Sequence, residues 1–288
     1  MSLGIPHTRN TTWMSALTDD TALTALAIPG THDTMTARCT ERYYATQEDS
    51  LAEQLTYGVR FLDIRLRRTL VAAHREWVSD ISGQDILDTV GQFLADNPSE
   101  CVIMRIQNAN EAKDDYPAYG EAIHGLIGAN LDIFHLWETP HSPWPTLGQC
   151  RGRVLALECA PPMYAFSERQ GIVWAQNWHD NPYLDIQDLW DGPSIEDKKN
   201  AIARALRHGD DDLNTLIINH ISATNGELGY PDAYAQILNP YTRTLNEAIR
   251  HEATTESENY RGRGIQIYDF ISPELAAAVI ELNDKKNH

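Results

Sequence analysis

Short apolar runs alternate along this chain with longer segments in which apolar positions recur at helical spacing, a rhythm that predicts strands separated by helices. Ala25-Leu26-Ala27-Ile28 is a first run, closed by the turn signal Pro29-Gly30. Val59 to Leu66 alternates like a strand with two unlike faces. Ile86, Leu87, Val90, Phe93 and Leu94 then share one helical face; Ser82 and Asp85 form a capping box before it, and Asn97-Pro98 closes it. Cys101 to Ile106 and Val154 to Cys159 read as buried strands. Ile195 to His208 is helical, with Ser194 as N-cap and Gly209 as stop. Leu216 to Asn219 is another strand, followed by Ala233 to Leu238, which Pro240 interrupts. Gly264 to Phe270 is the last strand, and Ser272-Pro273-Glu274 opens the last helix. About seven strands with intervening helices and no repeat predict one α/β domain over residues 1–288, a parallel barrel of TIM type.

Length agrees with that reading, since barrels of this kind reach 288 residues as one domain. Charge narrows the partners. Lys and Arg number 23 against 41 Asp and Glu, a net charge of −18, which excludes bulk nucleic-acid binding and disfavours strong attraction to an anionic membrane. A hydrophobic fraction of 42% supplies a large core. No apolar run approaches the roughly 20 residues of a membrane span. The first residues lack the apolar centre of a signal peptide, so the chain is expected either to stay in the cytoplasm or to be a mature form. Cys39, Cys101, Cys150 and Cys159 form no close pair and read as free thiols. Asn10-Thr11-Thr12 is a glycosylation sequon of a kind that occurs often by chance.

Phosphate-loop, zinc-protease and serine-elbow signatures are missing. What remains is a set of polar residues at strand ends. His32-Asp33 follows the first strand. Asp63 and Arg65, two apart, leave the second strand on one face. His74 lies shortly beyond, and Asp269 sits on the last strand, which in a barrel returns beside the first. Each residue alone has an ordinary structural explanation. Together, inward charges on a strand that must be buried are costly unless they serve each other or a ligand.

Ile28-Pro29-Gly30-Thr31-His32-Asp33-Thr34, Gly58 to Arg65, and His74 resemble the bacterial phosphatidylinositol-specific phospholipase C family. The likeness extends through Thr46-Gln47-Glu48, Asp96 to Glu100, Arg151-Gly152-Arg153, Ile186-Gln187-Asp188, Leu238-Asn239-Pro240 and Ile265 to Asp269, so it covers nearly the whole chain. The resemblance implies a distorted, incompletely closed α/β barrel. It implies that His32 is the general base, oriented by Asp269, and that His74 is the general acid, supported by Asp33. Arg65 would stabilise the phosphate charge and Asp63 would hold the network. The reaction implied is intramolecular cleavage of phosphatidylinositol, or of a related inositol or polyol phospholipid, to a cyclic inositol phosphate and diacylglycerol.

Because eukaryotic relatives carry a calcium-binding carboxylate where Arg65 stands, the resemblance implies no metal and no cofactor. Asp188 and Trp190 fall at headgroup-binding positions. The pocket lysine of the family falls at Gln107, and its pocket arginine at Cys159, beside Glu158, so two cations are absent from their usual places. Tyr43-Tyr44 and Tyr230 lie in rim segments that imply contact with a membrane or micelle surface, and a monomeric, secreted protein is expected. A glycerophosphodiester phosphodiesterase-like hydrolase and a non-catalytic phospho-headgroup-binding barrel remain the alternatives at this point.

Overall fold

The computed structural model describes residues 8–109, 115–207, 213–251 and 261–287. Twelve strands run in chain order among them: β1 (Ala27–Thr31), β2 (Phe61–Leu66), β3 (Val71–His74), β4 (Trp77–Ser82), β5 (Val102–Asn108), β6 (Val154–Cys159), β7 (Glu168–Arg169), β8 (Ile172–Val173), β9 (Ala175–Asn177), β10 (Leu184–Gln187), β11 (Leu216–His220) and β12 (Gly264–Tyr268). The helices are α1 (Thr8–Thr11), α2 (Leu51–Tyr57), α3 (Gly83–Asp96), α4 (Tyr116–Gly128), α5 (Leu147–Cys150), α6 (Ile195–Arg207), α7 (Pro231–His251) and α8 (Pro273–Ile280). Eight strands form one curled sheet in the order β10-β11-β12-β1-β2-β5-β6-β9, every pair parallel. Among the described residues β9 and β10 do not pair, so the barrel stays open there. β3 and β4 form a hairpin hung on the end of β2, which delivers His74 to the barrel mouth.

Alternation along each strand divides the core in two. Outward residues such as Leu62, Ile64, Met104, Val154 and Ala156 pack against the helices, with Ile86, Val90 and Ile123 among their partners. Inward residues such as Ile28, Phe61, Ile103, Leu155, Ile218 and Ile265 fill the barrel, and Trp13, Met14 and Leu23 pack with them. The inward rows change character along the strands. On β2 the row reads Phe61, Asp63, Arg65; on β5 Ile103, Arg105, Gln107; on β11 Leu216, Ile218, His220. The N-terminal half of the barrel is thus greasy and the C-terminal mouth polar, the distribution that builds a site at that end.

Gly30 occupies the inward row of β1 where space is shortest. A Cβ there would lie 2.9 Å from Cβ of Phe61 and 3.2 Å from Cγ2 of Ile265. Only glycine lets β1 close against β2 and β12 and hold His32 two residues further on.

The capping boxes at Ser82 and the Ser272 cap form as the sequence predicts. Ser194 likewise caps α6, its Oγ accepting from the Asp197 amide at 3.1 Å; His208 and Gly209 lie outside the described residues. Two predicted breaks are not breaks. β1 continues through Pro29-Gly30, because pairing with β2 starts only at Gly30 and the carbonyl of Pro29 accepts from the Arg60 amide at 2.9 Å. Helix α7 continues through Pro240; Pro240 and Gln236, whose carbonyl loses its helical partner to the proline, both lie on the exposed face of the helix. Six strands have no counterpart among the predicted runs: the hairpin strands β3 and β4, the two-residue strands β7 and β8, and the short β9 and β10, whose three and four residues carry too little pattern to stand out. All four cysteines are free; Cys39 is half-buried and the others are buried.

Candidate active site

β1 ends at Thr31, and the chain then turns sharply. Asp33 adopts a left-handed φ of 41°, a conformation that Asp tolerates better than most residues. The turn is fixed by the strand beside it. The Asp33 amide donates to Oδ2 of Asp63 at 3.2 Å, the Thr34 amide to the Asp63 carbonyl at 3.1 Å, and the Asp63 amide to Oγ1 of Thr34 at 2.8 Å. Gln47 adds two bonds from Nε2, to the carbonyls of His32 and Tyr268, each 2.9 Å. These bonds tie the ends of β1, β2 and β12 together.

The side chains so placed converge. Nδ1 of His32 lies 2.8 Å from Oδ1 of Asp269, so that nitrogen carries the proton and donates it to the carboxylate. Nε2 of His32 then presents its lone pair, which accepts from Nη2 of Arg65 at 2.8 Å. Arg65 is held between two carboxylates: Nε lies 2.7 Å from Oδ1 of Asp33, and Nη2 lies 2.9 Å from Oδ2 of Asp63. His74 faces His32 with ring centroids 6.3 Å apart. Its Nδ1 donates to the Tyr44 carbonyl at 2.9 Å, and its Nε2 lies 3.2 Å from Oδ2 of Asp33. The same oxygen stands 3.3 Å from Nε2 of His32. One imidazole is therefore set up to take a proton and the other to give one.

Burial and charge push the two rings apart in pKa. Burial pulls His32 down, but the carboxylates of Asp33 and Asp269 outweigh it and hold the ring above its ordinary value. Burial wins at His74, with Arg65 and His32 adding to it against Asp33, and holds that ring below its ordinary value. Asp63 is buried, yet Arg65 and Arg105 keep it ionised, well below the usual carboxylate range. Burial raises Asp269, and His32 offsets part of the rise.

His32, Arg65, His74 and Asp269 line one cavity of about 930 Å³, while Asp33 and Asp63 are buried outside its lining. Of the residues expected to contact a headgroup, Asp188, Trp190 and Gln107 line it. Glu158 does not. It shares the outward face of β6 with Val154 and Ala156, beside Phe166, while the next residue, Cys159, faces inward. Burial pushes the Glu158 carboxyl up to about 8, so it is a neutral acid in the helix layer and not a pocket residue. Side chains that sequence reasoning passed over line the cavity instead. Arg105 stacks its guanidinium 4.2 Å from the centre of the Trp178 ring. His220 lies 3.6 Å from Asp188, and burial pushes it down to about 3, so it is neutral. Strand alternation could have found both. Arg105 shares the inward row of Ile103, and His220 that of Ile218.

His32, Asp33 and Asp63 are the set among the described residues whose ligand atoms, all within 4.8 Å of one another, fit a metal ion. The Arg65 guanidinium forms ion pairs with both of those carboxylates, so a positive charge already sits against them.

An open parallel barrel whose C-terminal mouth gathers two imidazoles, a guanidinium and three carboxylates around one cavity defines an acid–base barrel with a seat for an anion. Comparison with known proteins is specific about which. The family model described as phosphatidylinositol-specific phospholipase C, X domain, matches residues 26–158. A protein of Listeria monocytogenes named 1-phosphatidylinositol phosphodiesterase is 34% identical over 284 residues, covering 94% of this chain and 84% of its own. The solved structure of the phosphatidylinositol-specific phospholipase C from Listeria monocytogenes superposes with a TM-score of 0.84 at 31% identity, over 95% of this chain and 98% of that one. A Staphylococcus aureus structure, a variant of its phosphatidylinositol-specific phospholipase C, shares the fold with a TM-score of 0.76 at 21% identity, over 97% and 98% of the two chains. The chain belongs to the phosphatidylinositol-specific phospholipase C family.

Proposed function

We propose that this protein cleaves phosphatidylinositol by intramolecular phosphoryl transfer, with His32 as base and His74 as acid. The observation that carries the reading is the pair of imidazoles facing each other at 6.3 Å across Arg65 and Asp33. Nε2 of His32 takes the proton of the ring hydroxyl adjacent to the phosphodiester. The freed oxygen forms a bond to phosphorus, and the bond from phosphorus to the glycerol oxygen breaks. Once protonated, His74, whose Nε2 lies 3.2 Å from Oδ2 of Asp33, gives its Nε2 proton to that leaving oxygen. The products are diacylglycerol and a cyclic inositol phosphate. Because nucleophile and phosphorus belong to one molecule, orientation supplies much of the acceleration. Arg65, fixed by two carboxylates, meets the negative charge that builds on the phosphate oxygens.

A phosphodiester anion seated between the rings raises the pKa of His74 towards the protonated form the step requires. A purely binding barrel would need neither an imidazole with its proton fixed by Asp269 nor a second one with its Nε2 3.2 Å from the Asp33 carboxylate. The substrate lies in a lipid surface, and the rim suits one. Tyr43, Tyr44 and Tyr230 cluster at the mouth, Tyr230 39% exposed with the Arg42 guanidinium 4.1 Å from its centre. No helix among the described residues is long and apolar enough to cross a membrane. We read the protein as a monomer acting outside the cell, a reading supported by its family alone.

The test uses vesicles of phosphatidylinositol, phosphatidylcholine or phosphatidylglycerol in separate incubations with chelator. Diacylglycerol release from the first alone is the expected result. Equal release from all three, or none from the first, overturns the assignment.

A further inference from the structure

We propose that Arg105 is the cation that selects the inositol ring in this chain, an inference that deepens the reading above and rests on it. Arg105 is 6% exposed and lines the cavity. A guanidinium that deeply buried needs partners for its five N–H groups. The bonds it makes are few. Nη1 reaches Oδ1 of Asp63 at 3.4 Å, and Nη2 reaches Sγ of Cys159 at 3.1 Å. Nε has no acceptor among the described residues. Asp63 is also the tighter partner of Arg65, at 2.9 Å, so it compensates Arg105 weakly. The Trp178 ring beneath the guanidinium fixes its plane.

A planar donor fork held over a cavity fits two adjacent hydroxyl oxygens. Asp188, in the same cavity, supplies the opposite chemistry. That carboxylate stays ionised against the effect of burial, with the Arg105 guanidinium among the charges that hold it so, and it accepts hydrogen bonds from hydroxyls. Fixed donors and a fixed acceptor facing one cavity fit a polyol, and a fixed cation repels a quaternary ammonium headgroup. Cys159 fits the same logic. The arginine that the family resemblance places at 159 and the guanidinium of Arg105 compete for one volume, since Sγ stands 3.1 Å from Nη2. A thiol at 159 leaves that space to a cation arriving from the neighbouring strand, so the pocket has moved its positive charge from β6 to β5.

The test compares wild type with Arg105→Met, Arg105→Lys, Arg105→Ser and the double variant Arg105→Ser with Cys159→Arg. KM and kcat on phosphatidylinositol are measured, myo-inositol binding is followed by calorimetry, and thermal unfolding confirms the fold. Arg105→Met should raise KM and weaken myo-inositol binding by roughly 10- to 100-fold, the range of a lost charge-assisted hydrogen bond, with a smaller change in kcat. Arg105→Lys keeps the charge without the fork, and should lose at least several-fold in both. The double variant should recover a large part of what Arg105→Ser loses. Wild-type KM and inositol affinity in both Arg105→Met and Arg105→Lys overturn the proposal, as does a double variant no better than Arg105→Ser. If Arg105→Met does not fold, Arg105→Lys decides alone. Should wild type fail to turn over phosphatidylinositol, the functional reading fails separately, and the calorimetric comparison still decides the role of Arg105.

Discussion

Replacing Asp269 by Asn removes one charge and leaves the shape of the site almost intact. In the native arrangement Oδ1 of Asp269 accepts from Nδ1–H of His32 at 2.8 Å, which fixes the lone pair on Nε2, beside Arg65. An asparagine can turn its amide NH₂ toward Nδ1. The ring then carries its proton on Nε2, where it cannot act as base and where it points at a guanidinium donor. If the amide oxygen faces Nδ1 instead, the tautomer survives, but the charge that stabilises the imidazolium formed during the step is gone. A hydrogen bond to a charged group contributes about 1.5–3 kcal/mol and a neutral one about 0.5–1.5. The milder outcome therefore costs about tenfold, and the wrong tautomer roughly 10²–10⁴-fold in kcat.

A second signature accompanies the rate. Asp269 is among the charges that hold His32 above its ordinary pKa, while burial holds His74 below its own. With the base the higher of the two, kcat/KM against pH is still a bell. Its acid limb lies below the ordinary histidine value and follows His74; its alkaline limb lies above that value and follows His32. Asp269→Asn should move the alkaline limb towards acid and leave the acid limb in place. The assay is initial-rate release of diacylglycerol from detergent-dispersed phosphatidylinositol across pH, in wild type and variant. A variant within about threefold of wild type, with an unmoved alkaline limb, refutes the assignment of His32 and Asp269.

Other expectations follow from the same geometry. His74→Ala should lose roughly 10²–10⁴-fold on phosphatidylinositol but far less on an inositol phosphodiester with a nitrophenol leaving group, which departs without a proton; equal losses on both substrates contradict the role of His74. Turnover should be unchanged in excess chelator, because Arg65 already neutralises Asp33 and Asp63; loss of activity restored by calcium contradicts that. Glu158 makes a prediction about stability alone. Its folded pKa of about 8 lies above the ordinary value of 4.5, so its contribution is full below about pH 4.5 and is lost as pH rises to about 8. Glu158→Gln should therefore match wild type in unfolding at pH 4 and exceed it by a few kcal/mol near pH 9, with activity unaltered; a pH-independent difference places the carboxyl in water.

Much of this architecture is legible in the residues. Strands written as long apolar runs, such as Val154 to Cys159, and helices opened by a capping box, such as the one at Ser82, declare themselves locally. The charged half of the site is legible for a related reason. Asp63 and Arg65 break an otherwise buried strand, and His32 follows a strand end. What stays hidden depends on distant packing. Pro29 and Pro240 behave as strand and helix residues because a neighbouring strand begins one residue later, or because the proline falls on the exposed face of its helix. Glu158 and Cys159 are adjacent in sequence and point to opposite faces, so proximity in the chain misassigned Glu158 to the pocket. Arg105 was overlooked because, as a single charge inside a strand, it resembles an ordinary structural residue until Trp178, Cys159 and Asp63 are seen around it.

Phosphorus NMR on phosphatidylinositol incubated with the protein and chelator tests the intramolecular step most directly. A cyclic phosphodiester resonance should rise first, with any phosphomonoester appearing later and at its expense. A phosphomonoester that accumulates from the earliest spectrum without the cyclic species would mean that water, and not the ring hydroxyl, attacks phosphorus.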